Sequence, residues 1–470
     1  MPVVLWTDAL IYLLLAAVIV FVVVVRRREH LLAPWQRVAH SRSGMAAATV
    51  LVFFLAAGLL DSVHYRPALA DNGGERNYSV EVLSLFDLLA TQLRTHTEKT
   101  YSAPLAAHLF AKENISLADG RQVRDFPRLV HGGAHLPDPA NELAHDVLWR
   151  SGLALLLALV IWLALAAGLV AWLARRRGIA WRDMARQVWY GKTEIPWHVV
   201  LLTLAAMLVV VVPMWVLSAN YHVFGTDKVG QDVLYLALKS IRTGLVIGTL
   251  TTLVMLPFAL LLGIAAGYFK GWADDVIQYV YTTLNSIPSV LLIAAAVLMT
   301  QIYMDLHPEL FETVAARADL RLLFLCVILG ITSWTGLCRL LRGETLKLRE
   351  MEYIQAAQAF GVSQWRILTR HILPNVMHIV LISLVMEFSA LVLAEAVLSY
   401  VGVGVDPSMI SFGTMINSAR LEMAREPMVW WALLAAFSFM FVLVLAANLF
   451  ADAVRDAFDP RVQTLKVKTA

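Results

Sequence analysis

Two histidines, His131 and His135, have the spacing at which two rings on one helical turn can bind the same metal ion. Gly132 and Gly133 lie between them and weaken the helix that would align the rings. Other histidines are scattered through the same polar segment, residues 61–147, as surface histidines commonly are. The pattern favours exposed histidines, so we predict no metal site and no cofactor.

Gly191-Lys192-Thr193 matches the end of a phosphate-binding loop. A complete loop requires a glycine five residues before Gly191, and Arg186 occupies that position. The chain also contains no His-Glu-x-x-His zinc motif and no Gly-x-Ser-x-Gly nucleophile motif. We therefore predict no nucleotide site and no catalytic residues, so any ATP must be handled by a partner chain.

Two carboxylates, Glu387 and Glu395, lie eight residues apart in an apolar run at about 376–400, near one face of a helix. A charge at membrane depth costs about 2.5–3.5 kcal/mol on insertion scales, so it usually faces a cavity or a partner. The two side chains could line a pathway or contact a paired subunit. They could equally be neutral, hydrogen-bonded packing residues.

Residues 343–374, here called the polar insert, separate two long apolar runs. Good helix formers predict a first helix over Glu344–Phe360, which Gly361 ends in the left-handed conformation. Ser363 then caps a second helix, which Pro374 closes.

The first of these helices would present a surface of small side chains, formed by Ala356, Ala357 and Ala359. Another protein could pack closely against such a surface, which indicates docking rather than catalysis. An ordinary amphipathic helix in a cytoplasmic loop would have a similar composition.

The composition is that of a polytopic membrane protein: 59% of the 470 residues are hydrophobic and 16% are charged, with mean hydropathy +0.68. We predict an all-α fold of about eight transmembrane helices in a lipid bilayer. A net charge of +3 is too small to indicate nucleic-acid binding. Cys326 and Cys338 would lie about 18 Å apart on one helix, too far for a disulfide.

Clusters of arginine orient the chain, because basic residues are enriched on the cytoplasmic side of a membrane. They follow the apolar runs at about 3–25 and 150–174, which places the N-terminus outside and the C-terminus in the cytoplasm. The predicted organisation is two transmembrane helices in 1–60, a periplasmic segment or small domain in 61–147, a third transmembrane helix with a basic loop in 148–198, a core in 199–461 and a cytoplasmic tail in 462–470.

A turn-rich stretch follows the apolar run at about 199–219, on the outer side of the membrane. Its aspartates can accept hydrogen bonds from nearby backbone N–H groups, and its glycines allow tight turns. An ordinary loop between helices remains the alternative. The residues that define this motif are Gly225, Thr226, Asp227, Gly230 and Asp232.

Both polar stretches have family-specific spacing. In the polar insert, Gln355-Ala356-Ala357 is followed after three residues by Gly361 and then by Leu373-Pro374. This resembles the coupling motif of ABC-importer permeases, with Gln355 in place of the usual Glu and His371 in place of the usual Ile. The turn-rich stretch resembles a pattern of the C-type permeases of dipeptide and oligopeptide importers, in which Gly-Thr-Asp is followed after two residues by Gly-Arg-Asp-Val. In this chain Gln231 stands in place of the usual Arg.

The resemblance covers about 199–461 and leaves the first 190 residues, here called the extension, without a match. It continues in order through Gly263, Gly267-Tyr268, Gly271, Asp274, Ser286-Ile287-Pro288, Leu398 to Gly404, Ser411-Phe412-Gly413, Asn448-Leu449, Asp452, Arg455-Asp456 and Asp459-Pro460-Arg461.

This resemblance implies a permease core made by the last five to six helices, moving peptides across an inner (plasma) membrane by alternating access. It implies a second related permease, one or two ABC ATPase subunits and a periplasmic or surface substrate-binding protein as partners. The implied ATPase-coupling residues are Gln355, Ala356, Ala357, Ala359, Gly361, Leu373 and Pro374. A membrane-anchored metal-dependent hydrolase or a sensor using residues 61–147 remains an alternative at this stage.

Overall fold

The computed structural model describes residues 1–27, 29–68, 78–116, 122–310 and 313–458. The helices up to residue 190 are α1 (Trp6–Arg26), α2 (Glu29–His40), α3 (Arg42–Asp61), α4 (Leu85–Leu89), α5 (Thr91–Thr95), α6 (Pro139–Arg177) and α7 (Trp181–Trp189). The helices after it are α8 (Trp197–Ser218), α9 (Val233–Phe269), α10 (Trp272–Ser286), α11 (Ser289–Leu306), α12 (Val314–Ser333), α13 (Thr335–Arg349), α14 (Glu352–Ala359), α15 (Gln364–Ile367), α16 (Leu373–Tyr400), α17 (Phe412–Glu422) and α18 (Trp431–Phe458).

Short turns and strands complete the described chain: a 3-10 turn at Pro308–Leu310, a π turn at Leu368–Ile372, and strands β1 (Pro2–Val3), β2 (His64–Tyr65), β3 (Leu83–Ser84), β4 (Glu113–Ser116) and β5 (Gln122–Asp125). The first three strands form an antiparallel sheet in the order β1-β2-β3, and β4 pairs with β5 in an antiparallel hairpin.

Eight of the described helical segments are long and apolar enough to cross a membrane: α1, α3, α6, α8, α9, α11, the continuous run Gln364–Tyr400 and α18. A spanning helix satisfies its backbone hydrogen bonds internally, which the hydrocarbon core requires. The predicted all-α polytopic class with about eight transmembrane helices is confirmed. Five of these segments lie in the predicted core.

Packing divides the chain into two compact units. Counting only the residues that the structure describes, the first contains residues within 1–3, 36–243 and 410–449, and the second contains residues within 4–35, 244–409 and 450–458. The predicted domain boundaries rest on sequence pattern and stay predictions.

In the first unit, part of the extension packs directly on helices that follow it. Phe86 and Tyr101 belong to the same buried cluster as Leu234 of α9 and Ala435 of α18. Trp431 at the start of α18 is 1% exposed, and its indole Nε1 donates a hydrogen bond to a backbone carbonyl of the α8–α9 connection (2.9 Å). This part of the extension is therefore an integral part of the first unit rather than a separate appendage.

In the second unit, two glycines allow α9 and α13 to pack closely. A Cβ atom on Gly263 would lie 2.8 Å from the carbonyl oxygen of Cys338, and one on Gly267 would lie 2.6 Å from Cβ of Thr345. Glycines four residues apart on one helix face permit this backbone approach between membrane helices. Helix α13 is thereby held against the end of α9.

The apolar run at about 276–300 does not form one continuous helix. Helix α10 ends at Ser286, and α11 begins at Ser289. Pro288 lies between them and disfavours helical geometry at the residue before it, where Ile287 is extended. Only α11 has the length and hydropathy of a crossing helix. The apolar run at about 322–341 is likewise divided, between α12 and α13.

Candidate functional site

The polar insert does not begin with the single helix predicted over Glu344–Phe360. Helix α13 runs to Arg349, Met351 has an extended conformation, and α14 begins at Glu352. The break allows Ile354, which is 0% exposed, to pack into the core of the second unit. Intrinsic helix propensity does not include this tertiary requirement. Gly361 follows α14 with φ +72, the left-handed conformation that we predicted.

The predicted helix end at Pro374 is also wrong. Helix α15 continues through the π turn Leu368–Ile372 into α16, and Pro374 lies in the first turn of α16. Proline is tolerated there because the first turn of an α-helix requires no N–H donor, and the wider π turn joins the two helices. Ser363 precedes α15 as predicted, but its side chain makes no capping hydrogen bond.

Three isoleucines anchor the polar insert. Ile354, Ile367 and Ile372 are each 0% exposed and belong to one cluster with residues of α13 and α16. Burying a side chain of this size stabilises a fold by about 1.5–3 kcal/mol. The insert is therefore a fixed surface feature rather than a loose loop.

The opposite face of the insert is open. Gln355, Ala356 and Ala359 are exposed, and a Cβ atom on Gly361 would have no neighbour within 4 Å. The remaining predicted coupling residues are less uniform: Ala357 and Leu373 are half-buried against the core, and Pro374 is exposed. The structure thus brings a small-residue surface to the outside of the second unit.

Two large aromatic side chains border this surface, and sequence analysis did not single them out. Phe360 is 87% exposed and Trp365 is 72% exposed, on either side of Gly361. Exposed aromatics beside small residues are typical of protein interfaces, where they supply much of the binding energy. Large aromatic residues in an otherwise polar segment were the sequence signal that could have identified them.

Charge-assisted hydrogen bonds join α13, the helix that leads into the insert, to neighbouring helices. Arg342 of α13 makes a bidentate pair with Asp274 of α10 (2.5 and 2.6 Å), and Nη1 of Arg349 donates to the backbone carbonyl of Tyr268 in α9 (2.7 Å). The hydrogen bonds from Arg342 lower the pKa of Asp274. Such bidentate pairs fix orientation as well as distance.

The second motif, in the 222–233 turn of the first unit, has the predicted local geometry. Asp227 accepts hydrogen bonds from the backbone N–H groups two and four residues ahead (2.9 and 2.8 Å). Asp232 accepts from those two and three residues ahead (2.8 and 3.3 Å). Gly225 and Gly230 have φ +67 and +77, which side chains with a Cβ rarely adopt.

The extension covers this turn closely. Thr226 Oγ1 accepts a hydrogen bond from the backbone N–H of Ser102 (2.7 Å) and donates one to the carbonyl of Thr100 (2.8 Å). A Cβ atom on Gly225 would lie 2.3 Å from the carbonyl oxygen of Ser102, and one on Gly230 would lie 1.8 Å from that of Glu98. Both glycines are required by this contact as well as by the turn.

A buried charge network lies at the same contact. His222 Nδ1 is 2.8 Å from Asp232 Oδ2, and its Nε2 is 3.4 Å from Glu98 Oε1. Glu98 also accepts hydrogen bonds from three consecutive backbone N–H groups, of residues 130–132 (2.8, 2.8 and 3.1 Å). Sequence analysis missed Glu98, because it lies more than a hundred residues before its histidine partner.

Burial and pairing have opposite effects on these groups. Burial disfavours the charged form of His222, but hydrogen bonds to Asp232 and Glu98 outweigh it and raise its pKa from 6.5 to about 9. Burial likewise opposes ionisation of Glu98, but hydrogen bonds from His222 and the three backbone N–H groups lower its pKa from 4.5 to about 2. The His222 imidazolium and the Glu98 carboxylate are therefore both charged at neutral pH.

The two carboxylates of α16 differ in environment. Glu395 is 1% exposed and accepts a hydrogen bond from Ser399 Oγ (2.7 Å), which fits the packing alternative. Glu387 is half-buried. A pathway or interface role for either residue stays a prediction.

The two histidines with metal spacing point to different neighbours. The ring of His131 stacks on His96, with ring centroids 4.5 Å apart, and His135 Nε2 pairs with Asp146 (2.9 Å). Within the described residues, no three His, Cys, Asp or Glu side chains are placed to hold one metal ion.

Cys326 and Cys338 are free and buried. The predicted motif at 459–461 and the tail at 462–470 lie outside the described residues.

Comparison with known families identifies part of the chain directly. Residues 259–464 match the family described as "binding-protein-dependent transport system inner membrane component". The matched region includes the polar insert and both carboxylates of α16. Most of the extension lies far outside it.

Curated relatives agree with this match. The oligopeptide transport system permease protein of Mycobacterium tuberculosis is 32% identical over 245 residues, covering 52% of this chain and 78% of the relative. The glutathione transport system permease protein of Pectobacterium atrosepticum is 32% identical over 246 residues, covering 52% and 75%. The oligopeptide transport system permease protein of Escherichia coli is 28% identical over 297 residues, covering 60% and 91%.

Proposed function

The chain belongs to the family of inner-membrane components of binding-protein-dependent transport systems, and from this membership we propose that it is one permease half of an ATP-driven peptide importer. The names of its relatives support short peptides as the substrate class, since they include oligopeptide, dipeptide and glutathione permeases. On this proposal the chain contributes the pathway, and partner ATPases hydrolyse the ATP.

The exposed face of the polar insert carries this proposal. Ala356 and Ala359 allow close approach of another protein, and Phe360 and Trp365 offer side chains that a partner pocket could enclose. The buried isoleucines hold this face in place without help from a partner. We propose that this face binds the ATPase subunit.

The contacts of the insert suggest how movement would reach the membrane. When the ATPases close on ATP, the insert would move with them. The Arg342–Asp274 pair would pull on α10, and the Arg349–Tyr268 hydrogen bond would pull on α9. Close packing through Gly267 leaves α13 little freedom to slip against α9. The pathway would then alternate between inward and outward access.

We further propose that the N-terminus faces outward and the C-terminus faces the cytoplasm. Eight crossings would place both ends on the same side, so this orientation requires a ninth. Helix α12 has 20 residues and is the candidate, although Arg317, Asp319 and Arg321 lie in its first half. Asp319 is buried and accepts a hydrogen bond from the Thr7 backbone N–H (3.1 Å), so part of this charge is compensated within the protein.

With this orientation, the polar insert is cytoplasmic and the 222–233 turn faces outward. The proposed partners are a second related permease in the bilayer, one or two kinds of ATPase subunit on the cytoplasmic side, and a substrate-binding protein outside. The extension would then form part of the outer surface beside the turn.

Affinity purification in mild detergent tests the proposal. The tagged protein should recover an ATPase and a second permease, and the complex should hydrolyse ATP. Ala356→Trp should lose the ATPase while retaining the permease, because bulk on the small-residue face prevents docking. Ala140→Trp, an equally exposed small-to-large change at the start of α6, is the matched control and should retain both partners. Recovery of the chain alone, without ATPase activity, would overturn the proposal.

A further inference from the structure

A long apolar groove lies between two membrane-spanning helices of the first unit. It has a volume of about 460 Å³ and is lined by one face of α6, including Leu155 and Trp162, and one face of α8, from His198 to Val209. The eleven residue-to-residue steps from His198 to Val209 span about 16 Å along the helix axis. This is about half of the hydrocarbon core of a bilayer, so the groove could hold most of a lipid acyl chain.

One end of the groove is polar and built from a different helix. Val188 and Trp189 of α7 close this end beside His198. Nδ1 of His198 is buried and makes no hydrogen bond with any described residue. Gly191, with φ +66, packs so closely on this ring that a Cβ there would lie 2.8 Å from its Cε1. Gly191 therefore covers the Nδ1 edge of the ring, while the His198 side chain also lines the mouth of the groove.

The surroundings of this mouth are strongly basic. Residues 175–194 contain six basic and two acidic side chains, and none of the six forms an ion pair with a carboxylate in the described parts of the chain. In the sequence, Arg186 and Lys192 flank the groove-lining pair Val188 and Trp189. A ligand at the mouth would therefore meet uncompensated positive charge.

Helix α7 also has the character of a helix that lies in a membrane interface. Met184 and Val188 are buried against α6 and α8, whereas Trp181 and Trp189 at its two ends are 52% and 71% exposed. Exposed tryptophans between basic residues are typical of helices at the headgroup level. The general excess of basic residues on cytoplasmic loops explains the charges but not the groove or the exposed tryptophans.

We propose that α6, α7 and α8 form a binding site for one anionic phospholipid. One acyl chain occupies the groove between α6 and α8, and the phosphate lies at its mouth near His198, Arg186 and Lys192. The exposed rings of α7 lie at the level of the headgroups. The site belongs to residues outside the family match and does not depend on the proposed transport function.

Native mass spectrometry of the full-length protein in detergent tests the site. The probes are dioleoyl phosphatidylglycerol and dioleoyl phosphatidylcholine, which share acyl chains and differ in net charge. The wild-type protein should retain phosphatidylglycerol in preference. This preference should fall as salt rises, because screening weakens exposed charge contacts. Glycerol 3-phosphate, which has no acyl chain, should not displace the lipid.

Two variants separate the headgroup from the chain. R182Q/R186Q/K192Q should lower the affinity for phosphatidylglycerol by about a hundredfold if each basic residue contributes about fivefold. K112Q/R124Q/K228Q removes three basic residues elsewhere in the chain and should have no such effect. Ala205→Phe should fill the groove and reduce retention of both lipids. Ala206→Phe, which faces a different groove on the same helix, is its control.

Equal retention of the two lipids by the wild type, or unchanged selectivity in R182Q/R186Q/K192Q, would overturn the proposal. Displacement by glycerol 3-phosphate would indicate a site for free phosphate esters and would also overturn it. Thermal unfolding of each variant verifies that it is folded. If Ala205→Phe fails to fold, the salt dependence and the charge variants still test the proposed lipid site.

Discussion

Gly361 in the polar insert and Gly230 in the 222–233 turn have nearly the same backbone conformation, φ +72 and +77, but opposite surroundings. A Cβ atom on Gly361 would meet nothing within 4 Å, whereas one on Gly230 would lie 1.8 Å from the carbonyl oxygen of Glu98. Both glycines belong to motifs through which the chain resembles importer permeases. One motif is exposed on the surface, and the other is covered by this chain's own extension.

Small residues therefore have two different roles in the two motifs. In the polar insert, small residues keep a surface accessible, and the anchoring is done by isoleucines on the other face. In the 222–233 turn, small residues allow a second segment of the chain to approach, and a buried charge network completes the contact. Changes at the turn should therefore affect folding, whereas changes at the insert should affect partners.

The largest loss of stability is expected for Glu98→Ala. It leaves three backbone N–H groups and the buried His222 with fewer partners, and breaking a buried ion pair costs about 3–5 kcal/mol. Equilibrium unfolding in mixed micelles measures this difference. Glu113→Ala, which removes the exposed pair with Lys99, is the control and should cost about 1 kcal/mol or less. Equal losses in the two variants would show that the network stabilises nothing.

Alanine at the two glycines tests the comparison directly. Gly361→Ala should cost only the left-handed conformation, about 1–2 kcal/mol. Gly230→Ala adds a clash with the backbone of Glu98, which costs about 1–3 kcal/mol more. The same unfolding measurement compares them, and equal costs would mean that the extension does not hold its position on the turn.

The charge network predicts a stability optimum between about pH 4.5 and 6.5. The pKa of His222 is raised from 6.5 to about 9, so its contribution is complete below pH 6.5 and is lost between pH 6.5 and 9. The pKa of Glu98 is lowered from 4.5 to about 2, so its contribution is complete above pH 4.5 and is lost as the pH falls toward 2. Each of the two losses of stability should reach at most about 3.5 kcal/mol, at about 1.4 kcal/mol per pKa unit.

Unfolding free energies measured from about pH 2 to pH 9 give both losses of stability, the one below pH 4.5 and the one above pH 6.5. In Glu98→Gln the decline below pH 4.5 should shrink, because the group that titrates there is gone. If the decline in stability below pH 4.5 is unchanged in this variant, other carboxylates cause it.

The smallest effect is expected for Gln355→Glu, which restores the side chain usual in related permeases. Gln355 is exposed, and its amide nitrogen makes one hydrogen bond, to the carbonyl of Glu350 (3.3 Å). An exposed change of this kind alters stability by about 0.5 kcal/mol or less. Unfolding should therefore be unaffected and ATPase recovery retained. Loss of the ATPase in this variant would show that docking depends on the charge at position 355.

Local sequence patterns predicted the local features of both motifs well. The backbone bonds accepted by Asp227 and Asp232 and the left-handed Gly361 all depend on residues within a few positions. Pro374 was misread because a proline can stand in the first turn of a helix as well as after its end.

Features that depend on distant residues were not predictable in this way. Glu98 reaches His222 only because the extension folds back over the turn, and no local pattern encodes that pairing. The break before α14 depends on where Ile354 finds a buried position. The exposure of Phe360 and Trp365 also follows from tertiary packing, since the same residues could equally have been buried.

Cross-linking from the polar insert to a partner ATPase tests the central claim most directly. Cys326 and Cys338 are both buried, so Ala359→Cys supplies an accessible thiol, and Ala140→Cys provides one at a different exposed alanine. In membranes containing the assembled complex, a short bifunctional reagent should join Ala359→Cys to an ATPase subunit and leave Ala140→Cys without that product. The absence of the product from Ala359→Cys in an intact complex, or equal yields from both variants, would contradict the assignment of this face to ATPase docking.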